Sequence, residues 1–157
     1  MRPLITCSMA VWIGWVPIGC STTPSAKKAE TTAPPPSFDG DDIRFFIETG
    51  ASELLSVKPD DFAQQESIPV ELRGCVGKLP PMIFGKPTRL VADLSTVLDY
   101  DHPTTALRLV VLEERDGDVK VRLSCIAMTS SANAEAWIRR AHGNWRVAEV
   151  LAHWRNL

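Results

Sequence analysis

The chain has 157 residues, of which 45% are hydrophobic and 23% charged, with a formal net charge of -2. That is room for one packed domain rather than two. The slight acidity excludes the strongly basic surface that nucleic-acid binding depends on.

Met1 and Arg2 supply a positive start, and residues 4–19 are then almost uncharged, an apolar run broken by Thr6, Ser8 and Pro17. Spanning a bilayer takes about 20 apolar residues. The shorter, interrupted run reads as the centre of an export signal over residues 1–19; an uncleaved anchor is the alternative. The run ends in Pro17-Ile18-Gly19-Cys20-Ser21, which resembles the lipobox of bacterial lipoproteins. Gly19 and Cys20 match that pattern, while Pro17 stands where an aliphatic residue is usual. The resemblance implies that Cys20 becomes the new N-terminus and carries acyl chains such as palmitate, anchoring the protein to a membrane. Ser21 after the cysteine resembles sorting to the outer membrane, facing the periplasm. Ordinary signal cleavage nearby would instead leave a soluble periplasmic or secreted protein.

Residues 20–37 form the expected tether, rich in Pro, Thr and Ser and without a large apolar side chain. Such a segment buries nothing and stays extended, reaching at most about 50 Å at the polyproline rise. A single domain over residues 38–157 follows. With Cys7 in the signal and Cys20 given to lipid, Cys75 and Cys125 remain as an even pair in an oxidising compartment. The simplest assignment is one disulfide between them, worth about 4 kcal/mol by loop closure; two buried free thiols are the alternative.

Asp41 and Asp42 open a helical pattern in which Ile43, Phe46, Ile47, Gly50, Ala51 and Leu54 recur on one face. Asp39, Asp41 and Asp42 read as helix-capping residues, since they lack the spacing and closing Glu of a calcium loop. Gly50 allows a break there. Pro59 starts a short second helix to about Gln65. Val70 to Arg73 alternates like a strand, a Gly- and Pro-rich stretch follows to Gly85, and Thr88 to Leu98 reads as another strand. Asp99 to Pro103 reads as a turn.

Two hairpins close the chain. Asp116-Gly117 is a strong two-residue turn. Pairing outward sets Arg115 opposite Asp118 and Glu113 opposite Lys120, then Leu112 opposite Val121 and Val110 opposite Leu123, with Cys125 on that apolar face. Gly143-Asn144 reads as the second turn, which sets Arg140 opposite Val147, Ile138 opposite Glu149 and Trp137 opposite Val150. The expected fold is α+β, with one or more N-terminal helices packed on a curved antiparallel meander.

The segment Gly143-Asn144-Trp145-Arg146-Val147 is similar to the Gly-x-Trp-(Arg/Lys)-(Ile/Val) ending common among NTF2-like (cystatin-like) domains. That resemblance covers the C-terminal half. It implies a cone-shaped pocket with Asp, His or Tyr at its mouth, and Asp99, Tyr100 and His102 are the only local cluster of those types. His102 beside Asp101 has the composition of a general base, and equally that of a solvated turn. His142 and His153 lie too far apart on one hairpin to share a metal. CxxC, P-loop, GxSxG and HExxH motifs do not occur. No catalytic residue, metal or cofactor is therefore expected.

Trp137, Trp145 and Trp154 all fall in the last hairpin, beside Arg139, Arg140, Arg146 and Arg155. Trp137, Arg139, Arg146 and Trp154 share one face, and Trp and Arg dominate binding hot spots. The competing reading is that Trp137 and Trp154 fill the core under arginine stems. Residues 39–66 are opposite in sign, with eight carboxylates against Arg44 and Lys58. Two functions remain open at this level. One is a non-enzymatic envelope lipoprotein that binds an envelope protein, as an assembly factor or an inhibitor. The other is an NTF2-like small-ligand binder or enzyme in the periplasm.

Overall fold

The computed structural model describes residues 34–98 and 104–156. The expected export signal, Cys20 and the expected tether up to residue 33 lie outside the described residues, as do Asp99, Tyr100 and His102. The first strand, β1 (Ser37–Phe38), begins one residue before the expected domain boundary.

Helix α1 (Gly40–Leu55) forms where the apolar spacing places it. Asp39 is its N-cap: the side chain accepts from the backbone N–H groups of Asp41 at 2.9 Å and Asp42 at 2.8 Å. This satisfies two of the four orphan donors at the helix start. Ser56, at φ 57°, ends the helix in the left-handed region. The next N–H, of Val57, then turns back to the Ala51 carbonyl at 3.0 Å. Gly50 does not break the helix. A side chain there would meet Leu123 Cδ2 at 3.0 Å, so the missing side chain leaves room for Leu123 against the helix. The expected second helix is a single 3-10 turn, Pro59–Phe62.

The strands β2 (Ile68–Arg73), β3 (Val76–Gly77), β4 (Met82–Ile83) and β5 (Lys86–Leu90) follow. After them come the long strands β6 (Ala106–Arg115), β7 (Asp118–Ile126), β8 (Ser131–Ala141) and β9 (Asn144–Asn156). Seven strands join one strongly curled sheet in the order β4-β5-β2-β6-β7-β8-β9. The short β1 pairs with β3 separately. The fold is α+β, as expected. The last four strands are the expected antiparallel meander, but β2 runs parallel to both β5 and β6, so the sheet is mixed. The strand expected over residues 88–98 stops at Leu90. Asp93 accepts from the Ser95 N–H at 2.9 Å and caps a 3-10 turn over Leu94–Thr96.

Ile43, Phe46, Ile47 and Ala51 of α1 are fully buried against one face of the sheet, which contributes Leu107, Leu109, Val121, Leu123, Ala134 and Ile138. Each large side chain so buried contributes about 1.5–3 kcal/mol.

The register of both hairpins departs from simple outward pairing. Arg115 faces Asp118 and Glu113 faces Lys120 as expected, but Leu112 is then extruded as a bulge. Val111 therefore pairs Val121 and Leu109 pairs Leu123, and Leu107, Leu109 and Val111 face the helix. In the second hairpin the turn is His142-Gly143, at φ 53° and 84°, one position earlier than expected. Both signs match the two-residue primed turn. Arg140 therefore faces Trp145, Ile138 faces Val147 and Trp137 faces Glu149. Two irregularities in β9 then shift the pairing, until Glu135 faces Ala152 and Asn133 faces Trp154.

Candidate functional site

The face of β7–β9 turned away from α1 carries the predicted residues. Side chains directly opposite each other share a face, so the register defines four rows. These are Asp118–Arg139–Arg146, Lys120–Trp137–Glu149, Arg122–Glu135–Ala152 and Ser124–Asn133–Trp154. Trp137, Arg139, Arg146 and Trp154 therefore do lie on one face. Trp137 and Trp154 do not fill the core; Trp154 is 36% exposed.

The charges on this face are largely matched. Arg139 grips Asp118 with three hydrogen bonds of 2.6–3.0 Å. That bond, ahead of the charge itself, holds the Asp118 carboxyl below its ordinary pKa and raises that of Arg139. Glu135 accepts from Arg122 Nε at 2.7 Å, with Lys120 Nζ at 3.9 Å. The Arg122 guanidinium also sits 5.8 Å from the Trp154 ring centroid. Arg146 lies directly opposite Arg139 and forms no ion pair among the described residues. Of the four predicted residues, Arg139 is thus already engaged and Arg146 is free.

Trp145 is the tryptophan that reaches the core. It packs edge-on against Phe46 at 5.0 Å and Phe38 at 6.4 Å, with Arg140 over its ring at 5.5 Å. Its Nε1 donates to Asp42 Oδ1 at 2.6 Å. The acidic start of α1 and the Trp–Arg hairpin therefore meet within the chain. An open cleft of about 1100 Å³ lies at the tips of the two hairpins, lined by Phe38, Asp42, Asp118, Trp137, Arg139 and Trp145 among others.

A polar cluster missed in the sequence lies on the same side of the sheet, at β2. Glu71 is only 1% exposed, and its carboxylate accepts from Arg73, from Arg108 Nε at 2.9 Å and from the Leu94 N–H at 3.2 Å. It ties the 3-10 turn, with Leu94 buried, down onto β2 and β6. The alternation of Glu71 and Arg73 was visible in the sequence, but their partner Arg108 comes from a parallel pairing that no local pattern announces.

Cys75 and Cys125 are both free thiols, so the structure holds no bond where a disulfide was expected. Cys125 faces Leu107 on β6, whereas Cys75 follows Gly74, which lies against the Val111 carbonyl. Leu107 and Val111 are about 13 Å apart along the strand, well beyond the Cα separation a disulfide spans. Burial raises the Cys75 thiol pKa. Burial, and secondly the charge of Asp61, pushes Cys125 up to about 11. Neither is a poised nucleophile.

His142 occupies the hairpin turn and His153 faces Ala134 on the helix side of β9. Among the described residues no group of three or more His, Cys, Asp or Glu converges to hold a metal, and no helix is long and apolar enough to cross a membrane. Compared with known families, with curated proteins and with solved structures, the chain matches none.

Proposed function

We propose that this chain is an exported bacterial lipoprotein, anchored through Cys20 to the outer membrane and facing the periplasm, that acts as a non-enzymatic protein-interaction module. Its tether lifts the domain from the membrane, and its partner is another envelope protein, met in the manner of an assembly factor or inhibitor. One observation supports this reading most. Trp137 and Trp154 stand on the sheet face turned away from α1, among largely matched charges. Rigid aromatic side chains bind at low entropic cost, which is why they recur at interface centres.

The test is site-specific photocrosslinking in the native envelope. Probes at Trp137 and Trp154 are expected to capture one discrete protein, and a probe at Glu53 on the exposed side of α1 is not. Adducts from Glu53 alone, or none from any site, would sink the interaction reading. The anchor has its own test: Cys20→Ala is expected to release the protein from membranes or leave it unprocessed.

The cleft at the hairpin tips favours a second reading, a small-ligand site of the kind the NTF2-like resemblance implies. It is the reading to adopt if Trp137→Ala abolishes binding of a small molecule while leaving protein crosslinks from Trp154 unchanged.

A further inference from the structure

Among the described residues, strand β9 ends the sheet order and one of its long edges has no neighbouring strand. An unpaired edge of this length is a template for another strand, and proteins commonly blunt such edges with charges or bulges. Here the register irregularities fall between Val147 and Ala152, around Ala148 and Leu151. They leave Ala152–Asn156 in regular pairing with β8, and therefore with a regular free edge. The side chains beside that edge are unusually apolar: Val150 is 53% exposed, Leu151 39% and Trp154 36%. The charges are cationic. Arg146 and Arg155 form no ion pair among the described residues, and the strand's only carboxylate, Glu149, sits opposite Trp137.

We propose that the free edge of β9 takes an extended, acidic and apolar peptide segment as an eighth strand. Backbone pairing runs along Ala152–Asn156. An apolar side chain of the segment covers Trp154 and the neighbouring Leu151, and a carboxylate at the next position, on the opposite face, meets Arg155. Charge complementarity selects this occupant over a second copy of the chain, which would bring another set of unpaired arginines to the same edge. This mode of strand addition draws affinity from the main chain and specificity from alternate side chains. The inference deepens the interaction reading but stands on the edge rather than the outer face, so Trp137→Ala is expected to leave it intact.

The test titrates the full chain, purified in detergent, with a fluorescent peptide of alternating Val and Glu and with its Val and Lys counterpart. Attraction at Arg155 in one complex and repulsion in the other are expected to favour the acidic peptide by about fivefold. Arg155→Glu is expected to reverse that preference, with an unchanged unfolding midpoint. Amide chemical shifts should move along Ala152–Asn156. Equal affinity for the two peptides, a preference that survives Arg155→Glu, or shifts confined to β7 and β8 would overturn the proposal. So would concentration-dependent dimerisation through β9 without peptide binding.

Discussion

The indole N–H of Trp145 donates to Asp42 at 2.6 Å, joining residues 103 positions apart in sequence. The bond ties the C-terminal hairpin to the first turn of α1, while Phe46 and Phe38 hold the ring edge-on. Trp145→Phe keeps most of the apolar contact and removes the donor to a charged acceptor. It is expected to cost about 1.5 kcal/mol, and Trp145→Ala about 3 kcal/mol. Urea unfolding of the two variants measures the difference. If Trp145→Phe is neutral, water replaces the bond and the ring's packing alone holds the hairpin.

Gly74 and Gly117 separate two reasons for needing glycine. Both have positive φ, at 71° and 82°. A Cβ at Gly117 would meet nothing, whereas one at Gly74 would lie 2.1 Å from the Val111 carbonyl oxygen. Gly117→Ala is expected to cost about 1 kcal/mol, from backbone strain alone. Gly74→Ala adds a backbone clash and is expected to cost about 3 kcal/mol. Equal losses in denaturant unfolding would show that β2 shifts away from Val111 easily.

Glu71 draws Arg73, Arg108 and the Leu94 N–H to one buried carboxylate. Its removal leaves Arg108 without its partner and Leu94 without an acceptor. Glu71→Ala is expected to destabilise the fold by about 3 kcal/mol. The Leu94 amide is expected to lose its protection from hydrogen exchange before the amides of β7 do. Simultaneous loss at both would mean that the 3-10 turn and the sheet open as one unit.

These sites show where the sequence was legible. Asp39 as a cap, the apolar stripe of α1 and the Asp116-Gly117 turn follow from local rules, and the structure follows them. Leu112 breaks the register because a single bulge moves every later side chain to the opposite face, and nothing in Val110-Val111-Leu112 marks which residue is extruded. His142-Gly143 competed with Gly143-Asn144 as a turn, since both pairs tolerate positive φ. The shared face of Trp137, Arg139, Arg146 and Trp154 was legible because two errors offset each other. The turn was misplaced, but the irregularities in β9 restored the expected pairing beyond Leu151. Glu71 stayed hidden because Arg108 reaches it across a parallel pairing of distant segments.

Asp118 gives the outer face a pH dependence. Its hydrogen bonds from Arg139 hold the folded carboxyl below its ordinary value, and an unfolded Asp titrates near 3.9. A depressed folded pKa contributes stability that is complete above the unfolded value and is lost as pH falls through the folded one. Carboxyl NMR is expected to show Asp118 titrating below the unfolded value, and Arg139→Ala is expected to return it to the ordinary range. An unmoved titration in that variant would assign the shift to something other than the guanidinium.

The two thiols make the sharpest test of the sheet's register. Cys125 lies opposite Leu107, and Gly74, just before Cys75, lies against Val111, so the register sets the two thiols apart. With the Cys125 thiol at about 11, only about one molecule in a thousand carries a thiolate there at pH 8. Folded protein is therefore expected to react slowly with a thiol reagent and to release two reactive thiols on denaturation. Peptide mapping without reductant is expected to recover Cys75 and Cys125 on separate peptides. A Cys75–Cys125 cross-link in native protein would require β2 to slide several residues along β6, and it would overturn the parallel register from which the Glu71 cluster is built.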